Sequence, residues 1–294
     1  MRVVVLANRA SGTRASARKR AHAVSQAFAD TGLHPEVRFL AGAQVQDAAR
    51  QAVAEGADAV VAAGGDGTVS AVAGAVAGSR SALGVLPLGT LNHFARDAGL
   101  PAVVAEAAGV VAAGHARQVD VAEVNGRVFV NNSSIGMYPS AVREREGRGG
   151  PKRLATAAAA LAVLRRLPSH RVTLTVDGHP ERRTTPCVFV GNNPYETAFG
   201  RLGRRASLDT GRLGLCTVRG TSRRAVLALA ARALAGRLDT ARDLELQEAE
   251  SITIASAHRH AIRVALDGEV ARLALPLRYR IRPRALRLLV PRPP

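Results

Sequence analysis

The sequence predicts an α/β plus mainly β fold: a parallel α/β half at the N-terminus, then a half built largely of antiparallel strands. Two patterns carry the prediction. Across residues 1–117 short aliphatic runs alternate with helical stretches, which implies right-handed crossovers and a parallel sheet. From about Gln118 the chain becomes a series of short β-prone runs, several meeting at Asn125-Gly126 and Asp177-Gly178, dipeptides that favour two-residue hairpin turns.

Taken in order, Val3–Ala7 reads as a strand, followed by the polar turn Asn8-Arg9-Ala10-Ser11-Gly12 and a basic helix to about Asp30. Glu36–Leu40 is a second strand and Gln44–Glu55 a helix. Ala59–Ala63 is short and apolar enough for one buried strand, and Gly64–Thr68 breaks it before a small-residue helix begins. Leu83–Leu86 then leads into Pro87–His93, the helical segment Phe94–Ala98 and, after Pro101, an alanine-rich helix to Gly114. Beyond a boundary near Gln118, strands are expected at Gln118–Val124, Arg127–Ser134, Arg171–Val176, Pro186–Val190, Leu213–Val218 and Ser251–Ala255, with helices at Lys152–Leu167 and Ser222–Leu238. Ligands of parallel sheets sit beyond the carboxyl ends of the strands, and Asn8, Asp66 and Thr90 each fall just past such an end.

At 294 residues the chain suits one large or two modest domains, and 47% hydrophobic content supplies a core that must be aliphatic, with aromatics at 3% and no tryptophan. A formal charge of +18, carried by arginine apart from Lys19 and Lys152, favours acidic partners: nucleic acid, anionic lipid headgroups or phosphate-bearing substrates. The scarcity of aromatics weighs against nucleic acid, because single strands lean on stacking platforms. Cys187 and Cys216 follow no metal-ligand spacing and read as buried thiols in a reducing compartment. Val3–Ala7 is too short for a signal-peptide core, and the most apolar helical stretch, Leu154–Leu164, ends at Arg165-Arg166, well under the roughly 20 residues of a membrane span. The expectation is a cytoplasmic protein whose membrane contact is peripheral. Arg143, Arg145, Arg148, Lys152 and Arg153 in one loop, and Arg201, Arg204 and Arg205 in another, could meet an anionic bilayer surface. Arg278, Arg280 and Arg282 alternate with Leu277, Tyr279 and Ile281, which puts their charges on one strand face, solvated by default.

The chemistry is concentrated in DAVVAAGGDGTVSAVAGA, residues 58–75. Glycines 64, 65 and 67 would let the backbone take positive φ angles, and would leave no Cβ between main-chain N–H groups and a phosphate at the positive end of a helix. Asp66 is the turn's one acid; a carboxylate does not bind phosphate directly, so its role runs through a cation such as Mg²⁺, which takes one or two carboxylates together with phosphate oxygens. A plain tight turn would look much the same. The stretch is neither G-x-G-x-x-G, whose last glycine is replaced by Ser70, nor G-x-x-x-x-G-K.

Gly64-Gly65-Asp66-Gly67-Thr68 resembles the GGDGT signature of diacylglycerol and sphingosine kinases, with NAD kinases and phosphofructokinases as more distant relatives. Asn8–Gly12 is similar to that family's N-P-x-S-G nucleotide loop, with Arg9 in place of proline, and PLGTLNHFAR, Pro87–Arg96, is similar to its P-x-G-T-x-N-D-F-A-R segment. The resemblance implies an ATP-dependent lipid kinase of the diacylglycerol kinase catalytic-domain family. It implies an ATP-binding α/β domain over residues 1–117, a β-sandwich lipid-substrate domain over 118–280, a last segment of about 281–294 returning to the first domain, and an active site in the cleft between them. ATP would be held by Asn8, Ser11, Gly12, Gly64, Gly65, Asp66, Gly67, Thr68, Val69, Ser70, Gly89, Thr90 and Asn92. Mg²⁺ would be held through Asp66 and Asp120, with Asp209 at a further, structural cation site where Thr210 replaces the family's second acid. His93 departs from the pattern, standing where many members carry an aspartate that serves magnesium better than imidazole does.

Phosphoryl transfer to an alcohol needs a positioned carboxylate to take the hydroxyl proton. Asp267-Gly268-Glu269 supplies two candidates, Asp267 and Glu269. Asp-Gly between apolar runs is by itself a hairpin signal, and Asp177-Gly178 is the same dipeptide with no acid two residues on. Only the resemblance, which places a D-G-E here as proton acceptor, lifts the pair above that control. The alternatives are an NAD kinase-like small-molecule kinase, against which PLGTLNHFAR argues, and a non-catalytic protein of the same fold that binds nucleic acid or an anionic surface. Which lipid is the substrate is not legible, since acyl pockets are lined by interchangeable aliphatics, and a homodimer stays open.

Overall fold

The computed structural model describes residues 1–8, 23–136, 170–196, 204–218, 232 and 244–292. The first half contains β1 (Val3–Asn8), β2 (Glu36–Leu40), α1 (Val45–Ala54), β3 (Ala59–Gly64), α2 (Asp66–Val76), β4 (Ala82–Pro87), α3 (His93–Asp97) and α4 (Val104–Ala113). Its strands are parallel in the order β2-β1-β3-β4. All of β3 and β4 is buried, because helices cover both faces. Side chains alternate accordingly: Leu6, Ala62 and Val85 pack toward α1 and α2, whereas Val5, Val61 and Ala63 pack toward α4 and the helical residues 23–27. Ser11 and Gly12, the Lys152–Leu167 helix, nearly all of Ser222–Leu238, the 143–153 basic set and Arg201 lie outside the described residues.

The second half contains β5 (Ala116–Val124), β6 (Arg127–Phe129), β7 (Asn132–Gly136), β8 (His170–Val176), β9 (His179–Thr185), β10 (Cys187–Asn192), β11 (Leu213–Val218), β12 (Leu244–Ala249), β13 (Ser251–Ala255), β14 (Ala261–Leu266), β15 (Glu269–Ala274) and β16 (Leu277–Leu289). One sheet runs β12-β11-β10-β7-β14-β15; the strands β16-β13-β8-β9, with β5 and β6, face it. Phe129, Ile135, Val190, Ile252, Leu277 and Tyr279 fill the space between, and this is the β-sandwich that the resemblance implied. Asn125-Gly126, Asp177-Gly178 and Asp267-Gly268 all carry positive φ at both residues, as hairpin turns of this type require.

The expected strand Arg127–Ser134 is interrupted at Val130-Asn131, where the chain crosses from one sheet to the other. Strands β9 and β12, with sequences HPERRTT and LELQEA, escaped the apolar pattern because each lies at the edge of its sheet, where charge and proline are tolerated. Along β16 the buried Leu277, Tyr279 and Ile281 alternate with arginines, of which Arg280 and Arg282 pair with Glu123. The register of β16 shifts between Arg282 and Leu286, after which Arg287 and Leu288 pair in parallel with Ala82 and Leu83 of β4. A single ten-stranded sheet therefore runs through both halves and holds the edge of the parallel strands against one end of the sandwich.

Candidate active site

The GGDGT turn joins β3 to α2 at the carboxyl edge of the parallel sheet, beside the turn that follows β4. The two turns touch at glycines: a Cβ on Gly89 would lie 2.5 Å from the Gly65 Cα. Positive φ is not what these positions need. Gly64, Gly65, Gly67 and Gly89 all lie outside the left-handed region, and Gly65 sits at φ −90°. Room is the reason, since a Cβ would meet Thr68 Oγ1 at 2.4 Å from Gly64 and Glu269 Oε1 at 2.8 Å from Gly67. Gly65 begins α2 with no capping side chain, so the first N–H groups of this 11-residue helix present its positive end to the cleft.

Asp66 is the first residue of α2 but serves another helix. Its carboxylate accepts the backbone N–H groups of His93 and Phe94, both at 3.2 Å, and so caps α3. Asn92, at φ 47°, closes the β4 turn: its Oδ1 accepts the Gly89 N–H at 3.0 Å and its Nδ2 donates to the Gly89 carbonyl at 2.9 Å. Thr90 is exposed at the tip, Asn8 donates to Thr68 Oγ1 at 3.5 Å, and Val69 points into the core.

The β14–β15 hairpin closes over this edge. Oδ1 of Asp267 accepts the N–H groups of Asn131 and Asn132 and Oδ2 that of Val130, each at 2.8 Å, while the Ser70 hydroxyl donates to Oδ2 at 2.6 Å. Burial pushes the Asp267 pKa up, against the pull of those four bonds. Asp267 thus ties the hairpin, the 130–132 crossing and α2 together. Two residues on, Glu269 is exposed and its carboxylate lies over Gly67. Asn131, itself buried, donates to Asp66 Oδ1 at 3.2 Å. From this edge a cavity of about 620 Å³ runs along the outer face of the six-stranded sheet. His93, Asn132 and Tyr195 line it nearest the turns, and Phe189, Cys216, Leu244 and Leu246 farther out.

Residues 2–124 match the family model for the diacylglycerol kinase catalytic domain, and residues 139–290 match the model for the YegS C-terminal NAD kinase beta sandwich-like domain. The chain belongs to the diacylglycerol kinase catalytic-domain family. A "Diacylglycerol kinase" of Bacillus subtilis (strain 168) is 27% identical over 232 residues, 76% of this chain and 74% of that one. A "Probable lipid kinase YegS-like" of Cronobacter sakazakii is 38% identical over 125 residues, which span 40% of each chain. A crystal structure of a diacylglycerol kinase from Bacillus anthracis str. Sterne superimposes with a TM-score of 0.71, covering 98% of this chain and 96% of that one at 22% identity; it shares the fold.

In this diacylglycerol kinase family member the three acids expected to hold metal are dispersed. Asp120 is fully buried, and its carboxylate accepts the N–H groups of Gly211 (2.7 Å) and Arg284 (2.8 Å) and the amide of Asn193 (2.8 Å), tying β5 to the 208–211 turn and to β16. Asp209 is exposed and bonded to Ser207. Neither shares a hydrogen-bond partner with Asp66, and among the described residues no three His, Cys, Asp or Glu side chains gather as a metal cluster. Asp66 retains capacity, since its three bonds occupy three of the roughly four acceptor positions of a carboxylate. One phosphate-bound cation needs no more than one or two carboxylates, so the turn fits Mg²⁺ carried in with a triphosphate.

Arg205 is the residue that sequence reading misplaced. Grouped there with a surface loop set, its side chain is wholly buried and ion-paired to the equally enclosed Asp97 at 2.9 Å. It also donates to Asn131 Oδ1 at 2.9 Å and the Asn192 carbonyl at 3.0 Å, with its guanidinium about 6 Å from the rings of Phe94 (6.0 Å) and Tyr195 (5.8 Å). It joins α3 to the sandwich and steadies Asn131, which in turn steadies Asp66. No local signal separates Arg205 from exposed Arg204 beside it; the partner that does so lies 108 residues earlier.

Proposed function

We propose that the protein is an ATP-dependent lipid kinase, transferring the γ-phosphate to a hydroxyl of a diacylglycerol-like lipid in the cleft between the two halves. The observation that carries the reading is the meeting of Glu269 with Gly67: an exposed carboxylate from the sandwich held over an uncapped helix start, two residues from Asp267, whose partner Asn132 lines a largely apolar cavity. In this reading the triphosphate rests on the N–H groups of the GGDGT turn, with the glycine backbones in reach and Asn8 and Thr90 at the margin. Mg²⁺, when bound with the nucleotide, neutralises charge on the transferring group, and Asp66 is the carboxylate that would hold it.

Glu269 accepts the hydroxyl proton as the lipid oxygen bonds to the γ-phosphorus and ADP departs. Asp267, with all its bonds directed at protein groups, is a positioning residue that keeps Glu269 over the turn. The acyl chains lie against Phe189, Leu244 and Leu246, where each buried methylene stabilises binding by about 0.8 kcal/mol.

The test is phosphate transfer from labelled ATP to diacylglycerol, a sphingoid base, phosphatidylglycerol, NAD and water, with Asp66→Ala and Glu269→Gln beside the parent. Transfer to diacylglycerol, lowered at least ~10²-fold by Glu269→Gln, is expected. Transfer to NAD alone, or full activity in Glu269→Gln, overturns the reading.

A further inference from the structure

The turns that hold Asp66, Asp267 and Glu269 occupy one end of the sandwich, and the opposite end has a different character. There the first residues of β8 and the last of β9 meet the loop 256–260, which crosses from β13 in one sheet to β14 in the other. Arg171 lies opposite Thr184 and Thr173 opposite Arg182. The two arginines are therefore diagonal neighbours on one sheet face, about 7–8 Å apart at the backbone. With Thr173, Thr184 and His258 they line a hollow of about 460 Å³.

Both arginines are exposed, and among the described residues neither side chain makes a hydrogen bond or ion pair. Arg183, the next guanidinium at this seam, is neutralised by Glu181 at 2.7 Å and by Glu245. Arg259 in the loop is exposed as well, and its charge adds to burial in holding the neighbouring His170 neutral. Cationic charge and hydroxyl donors thus converge on one hollow, and among the described residues no acid lines it or pairs with Arg171 or Arg182.

Position gives this hollow its meaning. Strand β14 alone separates the 256–260 loop from Asp267, about 20 Å at the usual rise for its 6 residues. The apolar cavity runs part of that way, from Asn132 beside the turns to Leu244 at the first residue of β12, which the strand registers place level with Arg263. One leaflet of a bilayer's hydrocarbon is about 15 Å thick. Leu246, on the cavity wall, is 43% exposed, and the Arg183–Glu245 pair stitches its strand, β12, to β9, the strand of Arg182.

We infer that this end of the sandwich is the membrane seat, with Arg171, Arg182 and the 256–260 loop holding phosphate diesters of anionic phospholipids. A lipid then rises along the outer face of the sheet with its tails still toward the bilayer and its hydroxyl at the distant turns. The inference rests on the lipid kinase reading and deepens it.

The test is flotation of the full chain with vesicles of phosphatidylcholine, with and without 30% phosphatidylglycerol, for the parent, Arg171→Ala/Arg182→Ala, and the control Arg50→Ala/Arg117→Ala on the first half. Salt-sensitive binding to the anionic vesicles is expected, weakened about 30-fold by the first pair and less than about twofold by the control. Transfer to diacylglycerol in neutral detergent micelles should be equal in parent and Arg171→Ala/Arg182→Ala, because the substitutions lie a sandwich length from the chemistry. A parent that ignores anionic vesicles, unchanged binding by that variant, an equal loss in the control, or a loss confined to DNA binding overturns the inference. Absence of micellar transfer by the parent, with arginine-dependent vesicle binding intact, instead removes the kinase reading.

Discussion

Gly67→Ala separates catalysis from stability more sharply than any substitution of an acid. Gly67 is the second residue of α2 and has no left-handed backbone, so alanine meets no conformational strain there. Helix propensity favours alanine over glycine by up to about 1 kcal/mol. The single obstacle is Glu269, whose Oε1 would lie 2.8 Å from the new Cβ, closer than two such atoms approach. Glu269 is exposed and its carboxylate is the free end of a flexible chain, so it swings aside at little cost to the fold. The melting temperature should hold or rise by about 1–3 °C. On the proposed reading of Glu269 as proton acceptor, the base has then left its station, and a displaced general base lowers kcat by about 10²–10⁴-fold. The assay is kcat and KM for ATP in parent, Gly67→Ala, Glu269→Gln and the double variant, beside thermal unfolding. If the methyl acts by moving Glu269, the double variant is no slower than Glu269→Gln alone. Multiplicative losses with a raised KM for ATP would mean that the methyl obstructs the nucleotide instead. Full activity in Gly67→Ala would refute the placing of Glu269 as base.

Gly89→Ala should behave in the opposite manner, because its Cβ would meet the Gly65 backbone at 2.5 Å, where nothing can rotate away. A loss of about 1–3 kcal/mol in urea unfolding is expected, together with loss of transfer. Arg205→Met leaves Asp97 enclosed without its main partner and should destabilise by about 3–5 kcal/mol, with part regained in Arg205→Met/Asp97→Asn, as equilibrium unfolding would register. Burial pushes the Cys216 thiol up to about 11, so at pH 8 it carries about 10²-fold less thiolate than an ordinary cysteine. Its alkylation, followed by peptide mass mapping, should be correspondingly slow, gain about tenfold per pH unit up to that value, and become fast in urea.

Legibility in this chain followed sequence distance. The turns after β3 and β4 were readable because each couples an aliphatic run, which must be buried, to a glycine or polar break within ten residues. The hairpins at Asn125, Asp177 and Asp267 were readable for the same reason, since the dipeptide itself supplies the positive φ angles. The charged edge strands β9 and β12 were not, because an edge strand does not have to bury both faces. The purpose of the glycines was read only in part: the lack of a Cβ matters, and positive φ does not. Backbone freedom is a local property and was the natural inference, whereas the actual demand on Gly65 and Gly89 is contact between two turns that only folding brings together.

The α/β to β succession and the family to which the chain belongs were determined by the sequence alone, for they rest on periodicity and on short motifs whose residues are neighbours. The tertiary structure decided where each acid stands. Asp267 and Glu269 are two residues apart in one hairpin, yet the fold surrounds the first carboxylate with four donors and leaves the second over Gly67. It likewise buried Arg205 and left Arg204 in solvent. A carboxylate or guanidinium acquires its role from the donors, acceptors and dielectric around it, and here those come from strands and helices far away along the chain.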